Sequence, residues 1–198
     1  RMAGSFGHAS ATSFYPGKVL GALGDGGCVY TDNHEINSKI RKYRNYGSVQ
    51  KYQHNEYGVN SRLDEIQAAV LLKKLSNLEE HRSAREKIAL EYLNRLPEHD
   101  ITLPLWEREA NQAWHLFVIE IGDRESFQTF MLDRGINTSI HYPYFIASFE
   151  RFGLDVAQFQ KARALSERCV SLPLFVGMTN KQVDLVVECV HEFFDTKS

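Results

Sequence analysis

The chain has 198 residues, of which 43% are hydrophobic and 24% are charged, and its formal net charge at pH 7 is -2. This composition excludes a disordered or fibrous chain and allows a buried core of ordinary size. No apolar run reaches the roughly 20 residues that a membrane span needs, no signal-peptide pattern opens the chain, and the near-neutral charge gives no general attraction for nucleic acid. We therefore expect a cytoplasmic protein without a membrane or nucleic-acid partner.

The first 60 residues show one short helical pattern between two irregular stretches. Residues 1–27 are rich in Gly, Ser and Ala and predict a loop, which leads into a short strand over residues 28–30. Apolar residues then recur at helical spacing from His34 to about Tyr46 and predict a helix. Residues 47–60 are polar and aromatic without a period, and they predict another loop.

The longest periodic pattern runs from Ser61 to Leu96, where Pro97 ends it. Ser61 followed by Asp64 resembles a capping box, so we expect the helix to begin at Ser61. A continuous helix of this length is too long for one compact layer, so we expect it to connect two domains and to bend near residues 81–85.

Beyond Pro97 the pattern changes to short alternating elements, which are typical of an α+β domain. Thr179 and Gln182 form a capping-box pattern that predicts the start of the last helix. The predicted strands cover residues 114–121 and 136–142, and the predicted helices cover residues 124–134, 156–170 and 179–195.

Three cysteines, Cys28, Cys169 and Cys189, form neither an even disulfide framework nor a CxxC pair. We interpret them as small core residues and expect no metal site.

Lys18 lies among small residues in the segment SFYPGKVLGALGDGG, residues 13–27. A lysine among glycines suggests phosphate binding, but a P-loop would require Gly at position 12 and Ser or Thr at position 19, where the chain has Thr12 and Val19. A dinucleotide-binding motif that starts at Gly24 fails as well, because Val29 stands where its last glycine is required. Neither common phosphate motif explains the segment.

A lysine on a flexible loop before a strand also suits covalent cofactor chemistry. Its amine forms an imine with a pyridoxal aldehyde, and once displaced it can move a proton between substrate and cofactor. A solvated loop lysine without function is the alternative that these residues leave open.

The motifs along the chain resemble, in order, those of the DegT/DnrJ/EryC1/StrS family of sugar aminotransferases, a branch of the fold-type I enzymes that use pyridoxal phosphate (PLP). The lysine segment is followed by RNYGS at residues 44–48, NSRLDEIQAA at residues 60–69, WHLF at residues 114–117, GINT at residues 135–138 and HYP at residues 141–143. The resemblance covers nearly the whole chain. After HYP, however, residues 144–147 (YFIA) depart from the Pro-x-His that family members commonly have, which puts substrate contacts from that loop in doubt.

The resemblance implies a role for individual residues. Lys18 would hold PLP covalently, and Ser13 would bind the cofactor phosphate. Asn60 would reach the phosphate of the neighbouring subunit's cofactor, which makes a homodimer part of the mechanism. His141 and Tyr142 would lie near the substrate.

The resemblance also implies a reaction, the transfer of an amino group, with glutamate as the expected donor, to the ketone of a nucleotide-linked deoxysugar. The blocks at residues 44–48 and 60–65 look most like members that aminate the 3-keto position, and the products supply surface polysaccharides or antibiotics. Lys18 argues against the dehydratases of this group, which have histidine there.

The implied fold is the C-terminal part of a fold-type I transferase. Residues 1–84 would be the end of the large α/β PLP-binding domain with the start of a long connecting helix, and residues 85–198 the small α+β domain. The chain enters its lysine motif with no preceding helix or strand, and it lacks an aspartate for the pyridine nitrogen and an aromatic ring stacked on the cofactor. We therefore expect a fragment that is inactive alone, and the alternative is a truncated, non-catalytic dimerisation or interaction module.

Overall fold

The structure, a computed structural model, describes residues 1–107 and 110–196. The chain divides into two compact units, Arg1–Glu79 and Glu80–Ser198. The division lies close to the predicted boundary between residues 84 and 85. The assignment of the two parts to a PLP-binding domain and a small domain stays a prediction.

The first unit is built around a hairpin with a short helix against it. Strands β1 (Ser10–Ser13) and β2 (Gly27–Tyr30) pair antiparallel with Ser13 opposite Gly27. Helix α1 (His34–Tyr43), the small hairpin of β3 (Ser48–Gln50) and β4 (Gln53–His54), and helix α2 (Glu65–Leu75) follow. A small core contains the buried residues Phe14, Ala22 and Leu71.

Two loop predictions in this unit are wrong in part, because each stretch contains short strands. Residues 1–27 contain β1, and residues 47–60 contain β3 and β4. Strands of two to four residues present too few side chains for an alternating pattern to be recognised. The predicted α1 is confirmed, and its Asn33 side chain accepts hydrogen bonds from the backbone N–H groups of Glu35 and Ile36.

The long helix predicted from Ser61 to Leu96 is two helices, α2 and α3 (Leu78–Arg95), separated at Ser76 and Asn77. The Ser76 hydroxyl donates to the carbonyl oxygen of Lys73 at 2.7 Å, and it contacts the Asn77 side chain at 3.2 Å. Such local hydrogen bonds compete with those of a continuing helix. The interruption therefore lies at Ser76 and Asn77 and not at the bend predicted for residues 81–85.

The predicted start of this helix at Ser61 is also wrong. The N-cap is Asp64, in an extended conformation and without a side-chain capping bond. The Ser61 N–H instead donates to the carbonyl oxygen of Arg44 at 2.9 Å. This pairing keeps the chain extended before Asp64, so helix α2 begins at Glu65.

The second unit packs helices against a two-stranded antiparallel sheet. Its elements are α3, β5 (Phe117–Glu120), α4 (Arg124–Asp133), α5 (Gln160–Arg168), β6 (Cys169–Leu172) and α6 (Asn180–Asp195). Phe117 of β5 lies opposite Leu172 of β6. The largest fully buried side chains all belong to this unit: Tyr92, Phe117, Ile119, Ile121, Phe127, Met131, Val170 and Val190. Cys169 and Cys189 are buried as predicted, whereas Cys28 is half-buried at the small core of the first unit.

The last helix begins as its sequence predicts. The Thr179 side chain accepts a hydrogen bond from the Gln182 N–H, and the Gln182 side chain accepts one from the Thr179 N–H at 2.9 Å. This reciprocal capping box satisfies two N–H groups that a helix end leaves unpaired.

Two other predictions in this unit need correction. Residues 136–142 do not form a strand, because only Ser139 pairs, in an isolated bridge with Ser171. The helix predicted for residues 156–170 is shorter: Val156–Phe159 form a tighter turn of 3-10 helix, α5 follows, and the chain then enters β6. All four residues of β6 are buried, and packing against β5 overrides the helical pattern.

Of the helices in the described residues, none combines the length and the apolar content that crossing a membrane requires.

Candidate active site

Lys18 lies on a loop that is closed at its base by backbone hydrogen bonds. The Ala22 N–H donates to the carbonyl oxygen of Phe14 at 2.8 Å, and the Phe14 N–H donates to that of Gly26 at 2.7 Å. Phe14 and Ala22 are both buried, with 8% and 2% of their surface exposed. The loop is therefore anchored at its base, and Lys18 lies within it.

Gly21 makes the narrow shape of this loop possible. It is buried, and a Cβ placed on it would overlap the carbonyl group of Pro16. Any other residue would push the two sides of the loop apart. Within the loop the Lys18 N–H donates to the carbonyl oxygen of Tyr15 at 2.9 Å. Lys18 itself is half-buried, and no described hydrogen bond or ion pair engages its amine.

Helix α2 holds the far side of the loop with two side chains. Lys74 donates to the carbonyl oxygen of Gly21 at 2.6 Å, and the Gln67 side chain accepts from the Leu23 N–H at 2.8 Å. Sequence reasoning missed both positioning contacts, although Gln67 stands within the NSRLDEIQAA block. They fix backbone groups on the C-terminal side of Lys18.

Ser13 ends strand β1 at the entrance of the loop. Its Oγ accepts a hydrogen bond from the Tyr15 N–H at 3.1 Å. That bond uses an oxygen lone pair, so the exposed hydroxyl keeps its O–H as a donor for an anionic ligand. Ser13 and Lys18 are thus presented by one anchored segment.

Asn60 lies on a different segment, which pairs with the end of α1. It forms a bridge with Asn45, and its Oδ1 accepts from Arg62 Nε at 3.1 Å. Its side-chain amide keeps both N–H donors, since the described bond uses only the oxygen. No described hydrogen bond joins Asn60 to the Lys18 loop.

His141 and Tyr142 belong to the second unit. The two rings meet edge to face with centroids 5.5 Å apart, and Tyr142 is exposed. His141 Nδ1 lies 2.8 Å from the hydroxyl oxygen of Ser171. His141 lines a cavity of about 180 Å³, whose other lining residues are His115, Leu116, Asn137, Ser139, Ser171, Leu172, Pro173 and Leu174.

Arg85, on α3, supports one wall of this cavity. Its Nη1 lies 3.2 Å from the carbonyl oxygens of Trp114 and His115 and 3.1 Å from that of Leu174. Partial burial lowers the pKa of the Arg85 guanidinium. Arg85 therefore joins two chain segments of the second unit that are distant in sequence.

The class of the protein follows from a solved structure that is similar to this chain in both sequence and architecture. S. venezuelae DesV, solved in complex with a ketimine intermediate, superposes with a TM-score of 0.90 at 36% identity, over 98% of this chain and 53% of that one. The fold is that of part of a fold-type I PLP-dependent transferase, as predicted, and the extent of the match is consistent with a C-terminal portion.

Residues 1–191 match the DegT/DnrJ/EryC1/StrS aminotransferase family, and the chain belongs to that family. The erythromycin biosynthesis sensory transduction protein EryC1 of Saccharopolyspora erythraea is 42% identical over 93% of this chain and 51% of its own length. The dTDP-3-amino-3,6-dideoxy-alpha-D-galactopyranose transaminase of Aneurinibacillus thermoaerophilus is 40% identical over 98% of this chain and 53% of its own length. The chain thus spans about half the length of these curated relatives.

Proposed function

We propose that this chain is part of a PLP-dependent aminotransferase that transfers an amino group, with glutamate as donor, to a ketone on a nucleotide-linked deoxysugar. The observation that carries the proposal is the setting of Lys18. Lys18 is half-buried, its amine has no described ion pair, and it lies on a loop anchored by Phe14, Ala22 and Gly21. Membership of the aminotransferase family supports this assignment.

The residues of the loop fit the cofactor chemically. Lys18 supplies a primary amine for the aldehyde of PLP, and the Ser13 hydroxyl supplies a neutral donor for its phosphate. In the proposed homodimer, the amide donors of Asn60 would bind the phosphate of the neighbouring subunit's cofactor. Neutral donors bind phosphate without adding a charge beside the reacting amine.

When bound, the cofactor contributes a conjugated ring that stores the electrons of the substrate carbon as its proton leaves. The chain contributes the groups around that step. Lys18 would hold the cofactor through its amine, and the same amine, when free, would move the proton at the substrate carbon. The contacts from Gln67 and Lys74 hold the Leu23 N–H and the Gly21 carbonyl, and so restrain the backbone of the loop that carries Lys18.

The substrate proposal draws on the relatives and on the cavity beside His141. The Aneurinibacillus thermoaerophilus relative is named for a 3-amino sugar linked to dTDP, which supports the 3-keto position as the site of amination. His141 and Tyr142 would then contact the sugar. We place the product in amino-sugar synthesis for polysaccharides or antibiotics.

The chain alone would lack part of the cofactor site, since it spans about half of its relatives. We propose that the 198 residues are inactive by themselves, and that the aspartate and the stacking ring expected around the cofactor come from the rest of the protein. The intact mass of the naturally expressed protein tests this directly. A mass that exceeds this chain by a domain agrees with the proposal, and robust amino transfer by the purified chain overturns it.

The role of Lys18 is tested in the complete protein by absorbance and by chemical trapping. PLP should give a visible absorbance band, and borohydride should then fix the cofactor on the peptide that contains Lys18. Lys18→Ala should remove both signals, whereas Lys73→Ala, an exposed lysine on α2, should keep them. Retained absorbance in Lys18→Ala would remove Lys18 from its assigned role.

The alternative is a non-catalytic interaction module, and one observation favours it. The first unit exposes more than half of the surface of several large apolar side chains, which would be covered in an assembly: Met2, Phe6, Leu23, Ile66 and Leu72. A natural protein with the mass of this chain that dimerises and fails to bind PLP would favour the module over the enzyme.

A further inference from the structure

Ser171 is a polar residue at the centre of an apolar strand. Only 4% of its surface is exposed, and its neighbours Val170 and Leu172 are buried as well. Its N–H donates to the carbonyl oxygen of Ser139 at 2.7 Å, and its own carbonyl oxygen accepts from the Ser139 N–H at 3.2 Å. The backbone N–H and carbonyl groups of Ser171 are thus hydrogen-bonded. Its hydroxyl is the remaining buried polar group, and it also needs a hydrogen-bond partner.

The hydroxyl lies 2.8 Å from Nδ1 of His141, and burial determines which of the two atoms donates. A buried hydroxyl whose hydrogen finds no acceptor destabilises the fold, because the hydrogen bond that it made to water is not replaced. Among the described contacts of Ser171 Oγ, His141 Nδ1 is the acceptor available to it. Donation from the Ser171 O–H would satisfy this hydrogen, and it requires Nδ1 of His141 to be the acceptor, without a hydrogen of its own.

A neutral histidine that accepts at Nδ1 carries its hydrogen on Nε2. Nε2 has no hydrogen-bond partner among the described residues, and His141 lines the cavity. The other polar lining side chains are His115, Asn137, Ser139 and Ser171, and no carboxylate is among the lining residues. A ligand in this cavity meets an N–H donor at His141.

We propose that Ser171 is a positioning residue, which holds His141 in the Nε2–H form so that the cavity selects a ligand oxygen that accepts a hydrogen bond. The hydroxyl or carbonyl oxygen of a sugar is such an acceptor, and this choice of ligand rests on the proposed function. The pairing of Ser171 with His141 does not depend on that function.

The first test measures the form of His141 without any ligand. The chain is labelled with 15N in its histidines, and the signals of His141 are identified by their loss in His141→Gln. The spectrum is recorded at about pH 8, above the ordinary pKa of the histidine side chain. The expected spectrum shows hydrogen on Nε2 and none on Nδ1. A dominant Nδ1–H signal overturns the role of Ser171, whatever the chain binds.

The second test asks whether Ser171 imposes this form. Ser171→Ala should give a mixture of the two neutral forms at His141, and Ser171→Thr, which keeps the hydroxyl, should restore the single form. Ser139→Ala is the matched control, because Ser139 lines the same cavity and bonds to Ser171 through its backbone only. A purely structural role predicts an unchanged His141 spectrum in the folded Ser171→Ala chain, and that result overturns the proposal.

The third test uses dTDP-glucose as a probe on the complete protein and follows the Nε2–H signal of His141. The signal should shift on titration, and Ser171→Ala should weaken binding by about threefold to tenfold, the effect of one neutral hydrogen bond. A His141 signal that does not respond overturns the sugar as ligand, and with it the proposed substrate. The first two tests still decide the role of Ser171 in that case.

Discussion

Lys74 donates a hydrogen bond of 2.6 Å to the carbonyl oxygen of Gly21, and thereby ties helix α2 to the loop that carries Lys18. The two residues are 53 positions apart in the sequence. A second bond, 2.8 Å from the Leu23 N–H to the Gln67 side chain, joins the same helix to the same loop. The helix that follows the NSRLD motif is therefore part of the support of the lysine loop.

Replacing Lys74 by methionine should loosen the Lys18 loop and keep the fold. Methionine retains much of the apolar stem but leaves the Gly21 carbonyl without its charged donor, a loss of about 1 to 2 kcal/mol. We expect faster hydrogen exchange at the Ala22 and Phe14 amides and slower trapping of PLP by Lys18. Amide exchange measured by mass spectrometry checks the first effect.

Lys73→Met is the control for this experiment, because Lys73 is exposed on the same helix and its side chain has no described hydrogen bond. It should leave loop exchange unchanged. Equal exchange rates in Lys74→Met and Lys73→Met would show that the Lys74 contact does not restrain the loop.

Gly21→Ala should displace the loop more strongly, because the added methyl group would overlap the carbonyl group of Pro16. The overlap involves backbone atoms, which cannot rotate away as a side chain can. We expect the borohydride-trapped PLP at Lys18 to fall by about tenfold or more, which corresponds to about 1.4 kcal/mol. Gly122→Ala, where the structure leaves open space, should trap PLP like the parent chain. Normal trapping in Gly21→Ala would mean that the loop tolerates a wider turn.

The sequence predicted the parts of this fold that depend on neighbouring residues. Thr179 with Gln182 indicated the capping box of α6, and the apolar spacing after His34 indicated α1. Local chemistry was sufficient for these two helices. The family motifs point to Lys18 and His141 as site residues, and those roles remain predictions.

The sequence failed where a contact joins distant parts of the chain. The helix predicted for residues 156–170 includes the first two residues of β6, but β6 pairs with β5 about 50 residues earlier, and that pairing decides its conformation. The contact between Ser171 and His141 and the contact between Lys74 and Gly21 likewise depend on the folded chain. The helix-breaking hydrogen bonds of Ser76 and Asn77 are local, unlike these contacts, so the sequence alone is sufficient to predict that interruption.

The second unit should become less stable in acid, because protonation of Glu192 removes its ion pair with Arg134. Arg134 donates through two nitrogens to both carboxylate oxygens, and this lowers the pKa of Glu192 below its usual value. Because the folded pKa is lowered, the stabilisation is present above about pH 4.3, the unfolded value, and is lost as the pH falls through the lowered pKa. Glu192→Gln should therefore unfold at lower urea concentration than the parent chain near neutral pH, with the difference shrinking below about pH 4. Glu188→Gln, on the same helix without a described ion pair, should show no such pH-dependent difference.

Tyr92→Phe should lower stability by about 1 kcal/mol near neutral pH, because the Tyr92 hydroxyl donates to the carbonyl oxygen of Pro173 at 2.8 Å. Burial raises the pKa of Tyr92 well above its usual range. Because the pKa of Tyr92 is higher in the folded chain than in the unfolded chain, the protonated side chain contributes stability below about pH 10, the unfolded value. This contribution is lost as the pH rises towards the folded value. The gap in unfolding free energy between the parent chain and Tyr92→Phe should therefore narrow between about pH 8 and pH 11.

Urea unfolding of both chains at these two pH values checks the prediction for Tyr92, with Tyr57→Phe as the control, since Tyr57 is fully exposed. The control should unfold like the parent chain at both pH values. A gap that stays constant for Tyr92→Phe would mean that Tyr92 ionises as easily in the folded chain as in the unfolded one. Because Pro173 lines the cavity beside His141, the same variant should also weaken the response of His141 to dTDP-glucose, which links the packing of α3 to the proposed substrate site.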